Sequence, residues 1–330
     1  MLRAAAEEPS RLNDVLITVD TELSPALHQR GATPEANLAS SIFGQVGDEA
    51  FGISWQMDRL DAHGLTGVYF IDPMPALVYG EGIIRAIVAP VLERGHEVQL
   101  HLHPEWLQWT DRSPVGDRRG SNIGDFDLAD QRTLLGWGLD LLEKVGAPRP
   151  IAFRAGNYGA DDRTLEALAG LGLRWDSSFN PAYVGASCRI GLDPGTTAPV
   201  QRLGISEIPV AGLFDRGTHV RPAQVCALSA WEMRAALGHA SRQAGAPFAI
   251  VTHSFEMLSR DRRRANRSVI DRFERMCAAI AAEPELRSTG FVDLDPTLAF
   301  VGTSATRLPP NPLRTAARIA EQVIARLRYE

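Results

Sequence analysis

The stretch HEVQLHLHPEW, residues 96–106, decides how the rest of the chain reads. Gly95 stops the apolar helical pattern of residues 81–94, and the run after it predicts a strand over 97–101. His101 and His103 stand two residues apart, so an extended backbone points both imidazoles to one face. Two ring nitrogens presented together are ligands for zinc or a similar ion. Glu105 continues the same register beyond Pro104, although the proline can turn the chain. His96, ahead of the apolar run, reads as a structural histidine.

Outward from this stretch, strand and helix patterns alternate. VLITV at 15–19 is β-branched and ends at Asp20; residues 49–63 predict a helix with Ile53, Met57 and Leu60 on one stripe, stopped by Gly64; TGVYFI at 66–71 is a second short apolar run. Downstream, helices are predicted over 128–145, 162–171 and 229–243. Strands are predicted over 150–153, 173–175 and 248–252, with EIPVAG at 207–212 as a further candidate and GFVDL at 290–294 as the last. The pattern is that of an α/β fold built on parallel strands, as a barrel or an open sheet. The two longest irregular stretches, 22–48 and 102–127, follow strand ends that carry acids or histidines, where such folds place functional loops. Residues 1–300 read as one domain. Residues 301–330 form a Pro-rich linker and a helix whose Ile319, Val323, Ile324 and Leu327 share a face, suited to packing on the barrel or to a homo-oligomer contact.

With 45% hydrophobic and 22% charged residues over 330 positions, the chain can close a large core. A net charge of -6 argues against a nucleic-acid partner. No stretch approaches 18 unbroken apolar residues, which excludes an integral membrane span, and two glutamates precede the first apolar run, so no export signal is expected. That combination points to the cytoplasm. Lys144 is the only lysine among 34 basic residues and sits near a predicted helix end, which leaves little for lysine-based chemistry. Cys188, Cys226 and Cys277 form no CxxC pair and read as reduced packing residues.

Five predicted strand ends carry the polar chemistry. In VDTEL, Asp20 and Glu22 share a face if the strand continues, and such a pair can bind a divalent cation or divide base and ligand roles. His101 and His103 lie on the second. FRAGNYG at 153–159 ends a third strand with Arg154, suited to a bidentate grip on a carboxylate, while Gly156 and Gly159 leave room for close approach. Asp176 in WDSSFNP and His253 in IVTHSF supply the last two. A site at one face of a β/α fold is assembled in this way.

These segments, in this order over residues 12–300, resemble the polysaccharide deacetylases, the NodB-homology or carbohydrate esterase family 4 fold. The resemblance implies a distorted seven-stranded β/α barrel and metal-dependent hydrolysis of an N-acetyl amide on a sugar. By the family's motifs Asp20 is the catalytic base, Arg154 braces it, Asp176 positions the general acid and His253 is that acid. The second aspartate of the opening motif is replaced by Thr21, with Glu22 the substitute ligand. After the Gly95-His96-Glu97 turn, His101 matches the first metal histidine, and His103 or Glu105 completes the set. The implied cofactor is one divalent ion, zinc in expectation.

The departures fit a branch similar to the WalW-type proteins of bacterial surface-polysaccharide biosynthesis, so the expected substrate is an N-acetylated sugar of a polysaccharide or its precursor. Trp106 and Trp109 on the loop after the histidines, together with Asn157 and Tyr158 after Arg154, are the expected sugar contacts. Two rival readings stand beside this one: an amidohydrolase acting on a small cyclic amide, and a carbohydrate-binding barrel without catalysis.

Overall fold

A computed structural model describes residues 12–243, 245–300 and 305–329. The leader-free reading of residues 1–11, part of the linker at 301–304 and the Leu327 side chain lie outside what is described. The sheet begins with β1 (Asn13–Thr21), in which Leu16, Ile17 and Val19 are fully buried, as expected for a central strand covered on both faces. It continues through β2 (Gly67–Ile71), β3 (Glu97–Leu102), β4 (Ala152–Ala155), β5 (Trp175–Asp176), β6 (Val200–Arg202), β7 (Ile205–Glu207), β8 (Phe248–His253) and β9 (Leu286–Ser288).

The strand order is β8-β1-β2-β3-β4-β5-β7-β6, with β9 also paired to β1, and every pairing is parallel except β6 with β7. The α/β expectation therefore holds, as a curled and open nine-stranded half-barrel. Two isolated parallel bridges, Val210 with Ala249 and Gln224 with Val251, join the segments after β7 to β8. Around the sheet run α1 (Ile53–Ala62), α2 (Glu81–Glu93), α3 (Leu128–Lys144), α4 (Asp162–Gly170), α5 (Ala230–Ala240), α6 (Arg267–Ala281) and α7 (Pro312–Tyr329).

Four elements differ from the sequence reading, the first being EIPVAG, of which Glu207 ends β7 and Gly212 opens a separate hairpin strand, Gly212–Arg216. GFVDL is not a strand: Phe291–Asp293 is a single 3₁₀ turn, and the strand lies earlier, at β9. The Glu97 carboxylate accepts hydrogen bonds from the Phe291 and Val292 amides at 3.0 and 3.3 Å, which takes the donors a ladder would need. Phe291 then plugs the barrel floor against Phe70, with ring centroids 5.6 Å apart. The irregular stretch 22–48 contains two short helices, Pro25–Gln29 and Pro34–Ser41, each entered through a Ser24 or Thr33 cap and a proline in its first turn. Helix α6 was not anticipated, although Asn266 caps it and Val269, Phe273, Met276 and Ile280 bury one stripe.

Period two along β1 organises the barrel interior. Leu16 joins Val68, Phe70, Ala152 and Trp175 in an apolar floor, whereas Thr18, Asp20 and Glu22 follow on the same face toward the carboxyl end. The polar layer thus stands on a dry one. Helix α7 is tied to the body by Arg318, 2% exposed, which bonds Glu232 at 3.1 Å and Asp215 at 3.0 Å. Ile319, Val323 and Ile324 remain exposed on it. Among the described residues, no helix is long and apolar enough to cross a membrane.

Candidate active site

Register brings the site together. Asp20 lies opposite His253 on β8 and Phe70 on β2, and His101 lies opposite Arg154. Arg154 is fully buried within β4 rather than at its end. Its Nη1 donates to Asp20 Oδ1 at 2.8 Å and to Thr18 Oγ1 at 2.6 Å, its Nε and Nη2 donate to the carbonyl and hydroxyl of Ser177, and its guanidinium lies 4.4 Å from the centre of the Phe70 ring. Burial alone would raise the Asp20 pKa; Arg154, with His101 and His253 behind it, holds the carboxyl below its ordinary value. Asp20 is therefore an anion with one oxygen clamped and Oδ2 free.

Oδ2 faces His253 Nε2 at 4.0 Å. The other ring nitrogen, Nδ1, meets Glu256 Oε1 at 3.2 Å, and Glu256 is itself fixed by Thr252 Oγ1 at 2.8 Å and Gln224 Nε2 at 2.7 Å. Burial opposes the charged imidazolium, yet Glu256, then Asp20 and Glu22, push its pKa up to about 9. Glu256 goes below its usual range against its own burial, chiefly through His253. His253 is thus a proton donor at neutral pH. The expectation for Asp176 is corrected here. That carboxylate bonds Ser178 and faces Glu207, and the acid that holds His253 is Glu256. The signal was available, because the acid stands three residues after the histidine in HSFE, within reach of a turn.

On the opposite side of Asp20, Glu22, His101 and His103 offer one donor atom each, all within 4.8 Å of one another. His101 Nδ1 donates to the Arg154 carbonyl at 2.7 Å, which turns Nε2 toward Glu22 Oε2, 3.3 Å away. His103 Nε2 also contacts Glu22 Oε2, while its buried Nδ1 has no hydrogen-bond partner and lies 3.7 Å from Glu105 Oε1. Burial would depress the His103 pKa, but Glu22 raises it to about 10. Two imidazoles converging on one carboxylate oxygen suit a divalent cation, so the N₂O set fits a metal, with Glu105 outside the tight cluster.

Asp72, directly after β2, is a site residue that the sequence analysis did not single out. Its Oδ1 accepts from the His103 and Met74 amides at 3.3 and 3.0 Å, its Oδ2 is buried without a partner, and burial lifts its pKa to about 6. It holds the backbone of a candidate ligand. Gly156 does related work: a Cβ there would lie 2.7 Å from the His103 ring, so the close approach its small size permits is made by that imidazole.

The expected sugar contacts divide. Trp106 is fully buried in the core among His28, Tyr79 and Trp109 and presents no ring face, which corrects that reading. Trp109 is half-buried against His28. Asn157 is exposed and donates to Asn122 Oδ1 at 3.3 Å. Tyr158 is 7% exposed, with a buried hydroxyl that lacks a partner. Burial raises its pKa, and the Asp20 charge raises it further.

His101→Ala is expected to abolish most divalent-ion binding while the apolar core persists, whereas Glu105→Gln should retain it. Metal content of folded, dialysed protein measured by plasma mass spectrometry checks both. A stoichiometric ion in the His101 variant would reject the triad.

Neither family models nor curated proteins match the chain. Among solved structures, it is similar to a provisionally assigned polysaccharide deacetylase from Mycobacterium smegmatis, at TM-score 0.58 and 18% identity over 92% of this chain and 96% of that one. It is also similar to the 4-alpha-glucanotransferase of Thermococcus litoralis, at TM-score 0.52 and 7% identity over 91% of this chain and 42% of that one. Two proteins named for different activities share this fold. The likeness establishes the fold, and the chemistry has to be argued from the side chains in it.

Proposed function

We propose that the protein hydrolyses an N-acyl amide on a sugar, with acetyl the expected group and a bacterial polysaccharide or its precursor the expected carrier, in the cytoplasm. The observation that carries this reading is the placement of one clamped carboxylate, Asp20, between a protonated histidine and a Glu/His/His cluster. A base, an acid and a cation site in one mouth match the needs of amide cleavage, which requires water activation and protonation of a poor leaving nitrogen.

In this scheme Asp20 Oδ2 accepts a proton from the attacking water while Arg154 keeps Oδ1 in place. The C–N bond breaks as His253 Nε2–H passes its proton to the departing nitrogen, giving a free amine and a carboxylic acid. Glu256 holds the imidazole by Nδ1 and stabilises its charged form. Glu22, His101 and His103 would hold the metal, and when bound a divalent ion such as zinc supplies a Lewis acid for the acyl carbonyl. Tyr158, expected as a sugar contact, is buried beside the base, where burial and the Asp20 charge keep its hydroxyl protonated. Acetate release from a panel of N-acetylated saccharides tests the proposal, with small cyclic amides as a second arm. Turnover of the cyclic amides alone would replace the sugar reading.

Because Glu256 is the strongest favourable influence on the His253 proton, Glu256→Gln is expected to move the alkaline limb of the turnover profile below that of wild type, where the acid stays protonated up to about pH 9. A raised histidine pKa keeps the acid form below it and loses that form above it, so the variant should fail first at high pH and least at low pH. Turnover against pH checks this, and coincident limbs would remove Glu256 from the role.

A further inference from the structure

The loop after β8, SRDRRRANRS at 259–268, supplies four arginines within five positions. It borders a groove of about 770 Å³ that includes His253, Phe255 and Glu256 on one side and Arg260 and Arg262 on the other. Three further arginines along the groove are already engaged: Arg221 pairs with Asp215 at 2.8 Å, Arg272 with Glu321 at 2.9 Å, and Arg326 also has a partner. Among the described residues, Arg260 and Arg262 have no carboxylate within ion-pair distance.

Arg262 is set in place with some strain. Its φ of 59° lies in the left-handed region, which arginine seldom occupies, and a turn bond from its amide to the Ser259 carbonyl at 2.8 Å holds it there. The guanidinium lies 4.3 Å from the centre of the Phe255 ring, and that ring is 5.4 Å from His253. One nitrogen, Nη1, donates to Ser41 Oγ at 2.5 Å, and among the described residues no other side-chain hydrogen bond holds the planar fork. Burial pushes its pKa below the usual arginine value, opposed by Glu22 across the site. A half-buried cation on strained backbone, one aromatic ring away from the candidate acid, is met by one hydroxyl and one ring face but, among the described residues, by no paired carboxylate.

We infer that Arg262, assisted by Arg260, binds an anionic group on the substrate, so that the preferred sugar carries a phosphate or a carboxylate in addition to its N-acyl group. Arginine's fork matches either group in bidentate fashion. The inference rests on the reading of His253 as the acid at the leaving nitrogen, which places the acyl group and the anion in one groove.

The test is calorimetric binding to the full-length, metal-loaded Asp20→Asn chain, in which ligand is not consumed. The probes are N-acetylglucosamine, its 6-phosphate and the corresponding uronic acid. At least one anionic probe should bind roughly ten-fold or more tightly than the neutral sugar, the scale of one charge-assisted contact. Adding Arg262→Gln should erase that preference while changing affinity for the neutral sugar less than two-fold. Arg262→Lys should restore part of it, and Arg260→Gln should weaken it, which guards against a loop that has simply misfolded. Equal affinity for all probes, or a preference that survives Arg262→Gln, overturns the inference. Arg262-dependent anion binding without deacylation of any probe by wild type would sink the proposed function and leave this site standing.

Discussion

Asp20→Asn is expected to lower turnover by at least roughly 100-fold, the lower range for a positioned general base. The substitution keeps the size of the side chain and an oxygen for Arg154, and removes only the free anionic oxygen that faces the reaction. His253→Ala should fall by a similar factor, since its Nε2 is the one protonated group opposite that oxygen. Circular dichroism and metal content must match wild type for either number to speak about chemistry. Asp20→Asn with undiminished acetate release would reject the base, and unchanged turnover in His253→Ala would reject the acid. Asp72 could be suspected of acting as an alternative base, because its pKa near 6 lies closer to neutrality. Its Oδ1 is occupied by two amides, however, and its remaining oxygen is buried beside His103 rather than opposite His253.

How much of this centre the sequence disclosed follows from the distances over which its contacts act. Period two along an extended chain is a local rule, and it placed Glu22 with Asp20 and His103 with His101 correctly before any strand partner was known. Glu105, two residues further on, left that register because Pro104 opens a 3₁₀ turn at Pro104–Trp109. The same turn carries Trp106 inward to the core instead of outward to a ligand. Glu256 was missed for a different reason: strand reasoning stopped at His253, and the contact is made in the turn beyond it. The error at GFVDL arose from Glu97, nearly 200 positions away, whose carboxylate takes the amides of that segment. Local composition carries no trace of such a partner. Arg262 combines both difficulties, since its charge was visible but its missing counter-ion and its ring partner are tertiary facts.

Arg154→Met is expected to cost about 3–5 kcal/mol of stability, the penalty for removing one partner of a buried ion pair. Arg154 is fully buried and Asp20 is 3% exposed, so methionine would leave a carboxylate in the barrel without its cation and would also free Thr18 and Ser177 from their donors. The pH dependence follows from the sign of the Asp20 shift. In wild type the folded pKa is depressed, so the ionised pair contributes stability that is present above the unfolded pKa of about 3.9 and is lost as pH falls through the folded value. Without Arg154 burial is no longer outweighed by its strongest opponent, the folded pKa rises, and protonation on acidification relieves the buried charge. Denaturant unfolding at pH 7 and pH 4 should therefore show the difference between wild type and variant narrowing at the lower pH. In the double variant Asp20→Asn/Arg154→Met neither charge remains, and part of the loss should return, as coupling between contacting partners requires. A cost below about 1 kcal/mol for Arg154→Met, or strict additivity in the double variant, would show that the clamp on the candidate base is not the interaction that holds this mouth of the barrel together.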